Sequence, residues 1–242
     1  MRLDNYLFEK NSAKSRTYAK SLIEQNMVKV NGKIVTKPSL DVGENDNIEV
    51  IGQICPYVSR GGLKLEAALK IFGVETEGRK CMDVGASTGG FTDCLLQHGA
   101  KSVLSIDCGH GQLDEKIKSD KRVTSVEGFN AKNITPAEFG CDYDVCVMDV
   151  SFISQTLLHK NVADILKPGG YFVTLIKPQF EAGRGALNGK GIVTDEADRM
   201  VAVYKVTRSA LECGFIQIGS VESPIKGGDG NTEYIAVFKL GE

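Results

Sequence analysis

Three polar side chains in this 242-residue chain stand where buried β-strands would end. Asp149 closes the run YDVCVMDV, Lys177 closes GYFVTLIK ahead of Pro178, and Glu233 opens EYIAVF. A lysine at the end of an apolar strand is unusual, because lysine is rarely buried without a partner. Ligands of α/β sheets bind outside the carboxyl ends of the strands. Asp149 and Lys177 would meet there on neighbouring strands and pair. Lys64, in SRGGLKLEAAL, starts a predicted helix and is placed to point into the same cleft. A lysine steadied by a carboxylate can hold a substrate hydroxyl, take its proton, or stabilise the charge left behind. Glu222 lies near Glu233 on the preceding strand, so the fourth member stays open between the two.

These residues need a sheet to position them, and the pattern from Arg60 onward supplies one. Apolar, β-rich runs (KCMDVGA, SVLSIDC, RVTSVEG, YDVCVMDV, GYFVTLIK, FIQIGSVE, EYIAVFKL) alternate with helical patterns such as LKLEAALKIF and the stretch from Thr194 to Gly214. Such alternation with buried strands predicts a mostly parallel α/β sheet. The last two strands have no helix between them and read as an antiparallel hairpin at the sheet edge.

The first strand, MDVGASTGGFTDCLL, runs into a glycine-rich turn and a helix. The turn spells G-A-S-T-G-G, which matches neither the G-x-G-x-x-G dinucleotide fingerprint nor the phosphate loop of nucleotide hydrolases. Entered from Asp83, it resembles motif I of Rossmann-like methyltransferases. That resemblance implies S-adenosylmethionine as cofactor, its methionyl part surrounded by Asp83, Gly85, Ala86, Ser87, Thr88, Gly89, Gly90 and Phe91. Asp107 ends the next strand, where an acid can accept hydrogen bonds from ribose hydroxyls. Glu127 and Gly128 end the third and are candidate neighbours of the adenine, with Asp149 close by.

Residues 1–51 read as a separate domain, 52–59 as a connector containing Pro56, and 60–242 as the α/β domain. Apolar stripes (Leu3, Leu7, Phe8; Tyr18, Leu22, Ile23) predict two helices, with Ser15 capping the second. Asn31-Gly32 between alternating runs predicts a hairpin. The formal net charge is −2, yet seven basic residues (Lys10, Lys14, Arg16, Lys20, Lys29, Lys33, Lys37) face a single acid, Glu24, between Lys10 and Lys37. A local basic surface steers phosphate irrespective of the total. RLDNYL, NSAKSRTYAKSLIEQNMVKVNGK, KPS and DNIEV resemble the RNA-binding domain of the ribosomal-protein-S4 type. Ser12, Lys14, Ser15, Arg16 and Lys20, with Lys10, Lys29 and Lys33, would supply its phosphate contacts.

Taken with SRGGLKLEAAL, DVGASTGGFTD, GQL, MDVSFIS and IKPQFE, the whole chain resembles the TlyA family of ribosomal RNA 2′-O-methyltransferases, whose catalytic domain is of the FtsJ type. The resemblance implies a Lys–Asp–Lys–Glu tetrad at Lys64, Asp149, Lys177 and Glu233. It also implies a ribosomal RNA or ribosomal-subunit partner and a cytidine ribose as target. The chain begins at the RNA-binding module and ends after the last strand, a form that within the family implies large-subunit RNA as the substrate. Lys177 is open between base and electrostatic roles. Arg60 and the glycine-rich segment QFEAGRGALNGKGIVTD, carrying Arg184 and Lys190, are expected to touch RNA, the latter as a mobile lid or else a tolerated insertion.

Composition narrows the class. Hydrophobic content of 42% and charged content of 25% fit a globular protein rather than a disordered one. No window reaches the roughly 18 apolar residues of a membrane span, and the N-terminus lacks a secretory apolar core. Seven cysteines without a C-x-x-C pair predict reduced thiols in the cytoplasm. The three histidines lack ligand spacing, so no metal is expected. A monomer is expected. The rival readings are a methyltransferase for protein or small molecules, opposed by the basic module and the lysines, and a non-catalytic RNA-binding or assembly protein, opposed by the intact tetrad. Family members also carry the haemolysin label, but no membrane-active segment is visible here.

Overall fold

Ser15 sets the first recognisable boundary: its hydroxyl accepts the Tyr18 N–H at 3.0 Å and starts a helix, satisfying a donor the helix leaves orphaned. The computed structural model describes residues 1–13, 15–52 and 55–242, so the basic side chain expected at Lys14 and the middle of the connector lie outside the described residues. The chain divides into two units, Met1–Pro56 and Tyr57–Glu242.

In the first unit, helices α1 (Leu3–Glu9) and α2 (Arg16–Glu24) pack with a small antiparallel sheet of β1 (Val28–Val30), β2 (Lys33–Ile34) and β3 (Ile48–Val50), ordered β2-β1-β3. Leu3, Leu7, Ala19, Leu22, Ile23, Val28 and Val42 form its core. Asn31 and Gly32 take φ of 52° and 78°, the left-handed values a two-residue hairpin requires, and Val30 pairs with Lys33.

The second unit comprises α3 (Gly61–Phe72), β4 (Lys80–Val84), α4 (Gly90–Gln97), β5 (Ser102–Asp107), α5 (Glu115–Lys118), β6 (Val123–Glu127), α6 (Pro136–Phe139), β7 (Tyr143–Met148), α7 (His159–Ile165), β8 (Leu166–Ile176), α8 (Pro178–Glu181), α9 (Glu196–Glu212), β9 (Phe215–Glu222) and β10 (Tyr234–Leu240). Its seven strands are ordered β6-β5-β4-β7-β8-β10-β9. β6 to β8 are parallel, and β10 runs antiparallel to both β8 and β9, as the missing final crossover helix predicts. Alternation along the strands sends Met82, Val84, Cys146, Met148, Phe172 and Phe238 to one face, where Val162, Ile165, Val206 and Ala210 of α7 and α9 cover them. The connector ends earlier than its composition indicated. Tyr57 is buried in this unit, and the Val58 N–H donates to Asp93 on α4 at 2.9 Å.

His159 lies within this apolar layer. Its Nδ1 is 2.9 Å from Ser209 Oγ, its ring meets Phe172 edge-on, and Nε2 has no hydrogen-bond partner among the described residues. Burial pushes its pKa down to about 4. The unfolded chain takes up this proton near 6.5. Between those values the unfolded state binds more protons, so stability falls as pH drops from 6.5 toward 4. The loss across that window is about 3 kcal/mol. Urea unfolding at pH 7 and pH 4.5 should therefore show a steeper loss for the parent than for His159→Leu. Equal losses would contradict the assignment.

Candidate active site

The turn after β4 is shaped for close approach. Gly85 has φ of +85°, and a β-carbon there would sit 2.4 Å from the Asp149 carbonyl. At Gly90 a β-carbon would lie 2.1 Å from Ser59 Oγ. Between them Ser87 is left-handed (φ 47°), held by its N–H on Asp107 Oδ2 at 2.8 Å. Asp107 Oδ1 accepts the Gly109 N–H at 2.7 Å. One acid at the end of β5 thus shapes two loops, and each of its oxygens keeps a second lone pair.

Two clefts open at this end of the sheet. The smaller, of about 280 Å³, is lined by Ser59, Arg60, Lys64, Asp149, Ser151, Lys177 and residues 85–88 of the glycine turn, with Gly90 and Phe91. The larger, of about 610 Å³, runs past Asp107, Cys108, Gln112, residues 128–131 and residues 149–153. They share Gly85, Ser87, Asp149 and Ser151.

The four proposed tetrad members form two ion pairs at the smaller cleft. Lys177 Nζ lies 2.6 Å from Asp149 Oδ1 and donates to Ser151 Oγ at 2.8 Å. Lys64, only 8% exposed on α3, donates to Glu233 Oε2 at 2.5 Å. Glu233 is 3% exposed and sits behind Lys64, just before β10. Glu222 is exposed on the edge strand, in register with Tyr234. An ammonium has three donors; Lys177 gives one to Ser151 and meets Asp149 as an ion pair, so an N–H remains for a substrate oxygen.

Two residues foreseen at the cofactor bond to groups of the protein itself. Asp83 is fully buried beneath the turn, accepting the Thr92 hydroxyl at 2.6 Å; Thr92 also meets Ser105 at 2.8 Å. Burial pushes the Asp83 pKa up to about 7. Glu127 turns to the 108–113 loop, where the Gln112 and Leu113 N–H groups hold its carboxyl below the usual range. Gly128, by contrast, lines the larger cleft.

Two cleft residues carried no signal in composition or spacing. Ser151 orients Lys177. Phe152, 92% exposed with φ of 63°, stands at the larger cleft with its ring against Phe180. Both fall inside the MDVSFIS motif, just past the strand-end aspartate, which is the cue the sequence offers.

In the first unit, buried Asp4 grips Arg2 through two hydrogen bonds (3.0 and 2.8 Å) and lies 3.8 Å from Arg16. It orients two exposed cations, of which Arg2 was not foreseen. Lys20 pairs with Glu24, Lys10 sits over the Tyr6 ring, and Ser12 and Lys33 are exposed with Lys29 half-buried. Arg184 and Lys190 are exposed after α8. Their segment is a closed turn: Leu187 bridges Val193, Asn188 Oδ1 accepts the Lys190 and Ile192 N–H groups, and Asn231 fastens Gly191 and Val193.

A seven-stranded sheet of this order, with a glycine turn after β4 and an acid ending β5, defines a Rossmann-like methyltransferase unit. Residues 57–240 match the model of the FtsJ-like methyltransferases and residues 1–48 that of the S4 domain. The chain belongs to the FtsJ-like methyltransferase family, in its S4-bearing TlyA branch. It is 46% identical over 239 residues to Hemolysin A of Brachyspira hyodysenteriae, covering 98% of this chain and 99% of the relative. It is 38% identical over 234 residues to the 16S/23S rRNA (cytidine-2′-O)-methyltransferase TlyA of Mycobacterium tuberculosis, covering 96% and 87%. A solved structure from Streptococcus thermophilus that also carries the hemolysin name superposes with a TM-score of 0.78 at 39% identity, covering 100% of this chain and 89% of that one. Among the described residues no helix is long and apolar enough to cross a membrane.

Proposed function

We propose that this protein transfers a methyl group from S-adenosylmethionine to the 2′-hydroxyl of a cytidine in ribosomal RNA. The observation that carries the reading is the pair of lysine–carboxylate contacts, Lys177–Asp149 and Lys64–Glu233, beside the glycine turn. The residues fit the cofactor. The glycine turn that lines the smaller cleft, Asp107 with lone pairs to spare, and a neighbouring cleft of nucleoside size would hold it. When bound, it would supply a methyl group already activated as a sulfonium.

The protein's own task is then alignment and charge. A ribose hydroxyl is a poor nucleophile at neutral pH. An N–H of Lys177 would hold its oxygen, with the Asp149 ion pair and the Ser151 hydrogen bond fixing the ammonium where negative charge develops on that oxygen. A cation already oriented there needs no reorganisation during the reaction. Lys64, anchored by Glu233, places a second cation in the same cleft. Phe152 offers an aromatic face to a nucleobase lifted from its stack. The S4 unit would hold RNA backbone through Arg2, Lys10, Ser12, Arg16, Lys20, Lys29 and Lys33, and Arg60, Arg184 and Lys190 would add contacts from the catalytic unit.

Large-subunit RNA is the favoured substrate; the activity named for the M. tuberculosis relative includes it alongside small-subunit RNA. The protein would act in the cytoplasm as a monomer. Mass-spectrometric mapping of ribose methylation in ribosomal RNA from cells with and without the gene tests this reading. One or more 2′-O-methylcytidines should disappear on deletion. Unchanged ribosomal RNA would refute it.

A further inference from the structure

Glu181 is buried at the end of α8, four residues past Lys177, and touches none of the groups assigned above to the reaction. Both carboxylate oxygens point at the segment that follows Asp149. Oε1 accepts the Gln155 N–H at 2.8 Å, and Oε2 accepts the Ser154 hydroxyl at 2.6 Å. Lys205 of α9 closes the cluster, donating to Oε2 and to the Glu181 carbonyl, each at 3.1 Å. Gln155 continues the network inward: its Nε2 donates to the Leu175 carbonyl at 3.1 Å, and its Oε1 accepts the Thr174 hydroxyl at 2.6 Å. Next to Glu181 in sequence, Phe180 sets its ring 5.2 Å from that of Phe152.

Between Asp149 and these anchors lie Ser151, which accepts from Lys177, and Phe152, whose backbone is left-handed. A residue with a large side chain stays in that conformation only where its surroundings hold it. The nearest holding points on the C-terminal side are the two groups bound to Glu181. Three donors converge on the two oxygens of this carboxylate, so an amide in its place would turn an N–H either toward the Gln155 N–H or toward Ser154 and the Lys205 ammonium.

We propose that Glu181, braced by Lys205, is a positioning residue that pins the 150–155 turn, so that Ser151 meets Lys177 and Phe152 stands at the cleft. Its effect on turnover rests on the methyltransferase reading; its effect on the turn does not. The chain has no tryptophan, so Phe152→Trp places a single emitter on the turn. In that background Glu181→Gln and Ser154→Ala should each lower the tryptophan's anisotropy toward that of a flexible loop. In the Phe152 background Glu181→Gln should lower kcat about tenfold or more, with KM for RNA changed less than about threefold and circular dichroism unchanged, because small misplacements of reacting groups act on kcat. Lys205→Met should give a smaller loss in the same direction.

Parental anisotropy in both Glu181→Gln and Ser154→Ala would overturn the proposal, as would a kcat within about twofold of an active parent. Should the parent itself transfer no methyl group, the methyltransferase reading fails and anisotropy alone decides the brace. Should Glu181→Gln fail to fold, Ser154→Ala and Lys205→Met are judged by the same readouts.

Discussion

Lys177→Ala is expected to lower kcat for methyl transfer about 10³-fold, the scale seen when one pre-oriented donor to a developing charge is removed. The change should fall on kcat rather than on KM for RNA, because the lysine works where charge appears in the transition state, and RNA affinity is spread over many phosphate contacts. Lys177→Arg should recover little. The ammonium fits between Asp149 Oδ1 at 2.6 Å and Ser151 Oγ at 2.8 Å, whereas a guanidinium is a planar fork that cannot reproduce that point contact. Single-turnover transfer of labelled methyl to ribosomal RNA measures both variants. An alanine variant within tenfold of the parent would remove Lys177 from the mechanism.

Glu233→Ala is expected to be the most destabilising substitution near the cleft. Lys64 and Glu233 are both buried and 2.5 Å apart. Removing one partner strands the other charge away from water, which costs roughly 3–5 kcal/mol. For a unit of this size that corresponds to a fall in Tm of roughly 6–20 °C. Replacing both partners together, Lys64→Met with Glu233→Leu, should return Tm close to the parental value, since a well-packed apolar pair is often as stable as a buried ion pair. The double variant should still transfer methyl groups poorly. Scanning calorimetry beside the transfer assay separates the outcomes. A double variant that stays as unstable as Glu233→Ala would show that the pair is not what stabilises this region, and a fully active one would remove Lys64 from the reaction.

How far the sequence carries depends on how local each determinant is. The Ser15 cap, the Asn31-Gly32 hairpin and the strand–helix alternation are fixed by neighbouring residues, and all are legible. Asp149 and Lys177 stand out because a charge at the end of a buried strand is costly unless it is paired. The Lys64–Glu233 contact spans 169 residues and cannot be separated from Glu222 by pattern alone. The partner of Asp83 is hidden for a related reason: alternation turns its side chain under α4, toward Thr92. The glycines of residues 183–191 read as mobility, yet Asn188 and the distant Asn231 close that segment with side-chain hydrogen bonds. The left-handed backbone at Phe152 depends on Glu181, nearly 30 residues away, and no propensity announces it.

Ribose 2′-O-methylation is tested most directly with purified protein, labelled S-adenosylmethionine and an RNA substrate carrying the mapped target cytidine. One methyl group per RNA is expected, recovered on digestion as 2′-O-methylcytidine, with no transfer when that single nucleotide is replaced by 2′-deoxycytidine. Methylation that persists on the deoxy substrate, or a label recovered on the base, would contradict the assignment of the 2′-hydroxyl as the methyl acceptor.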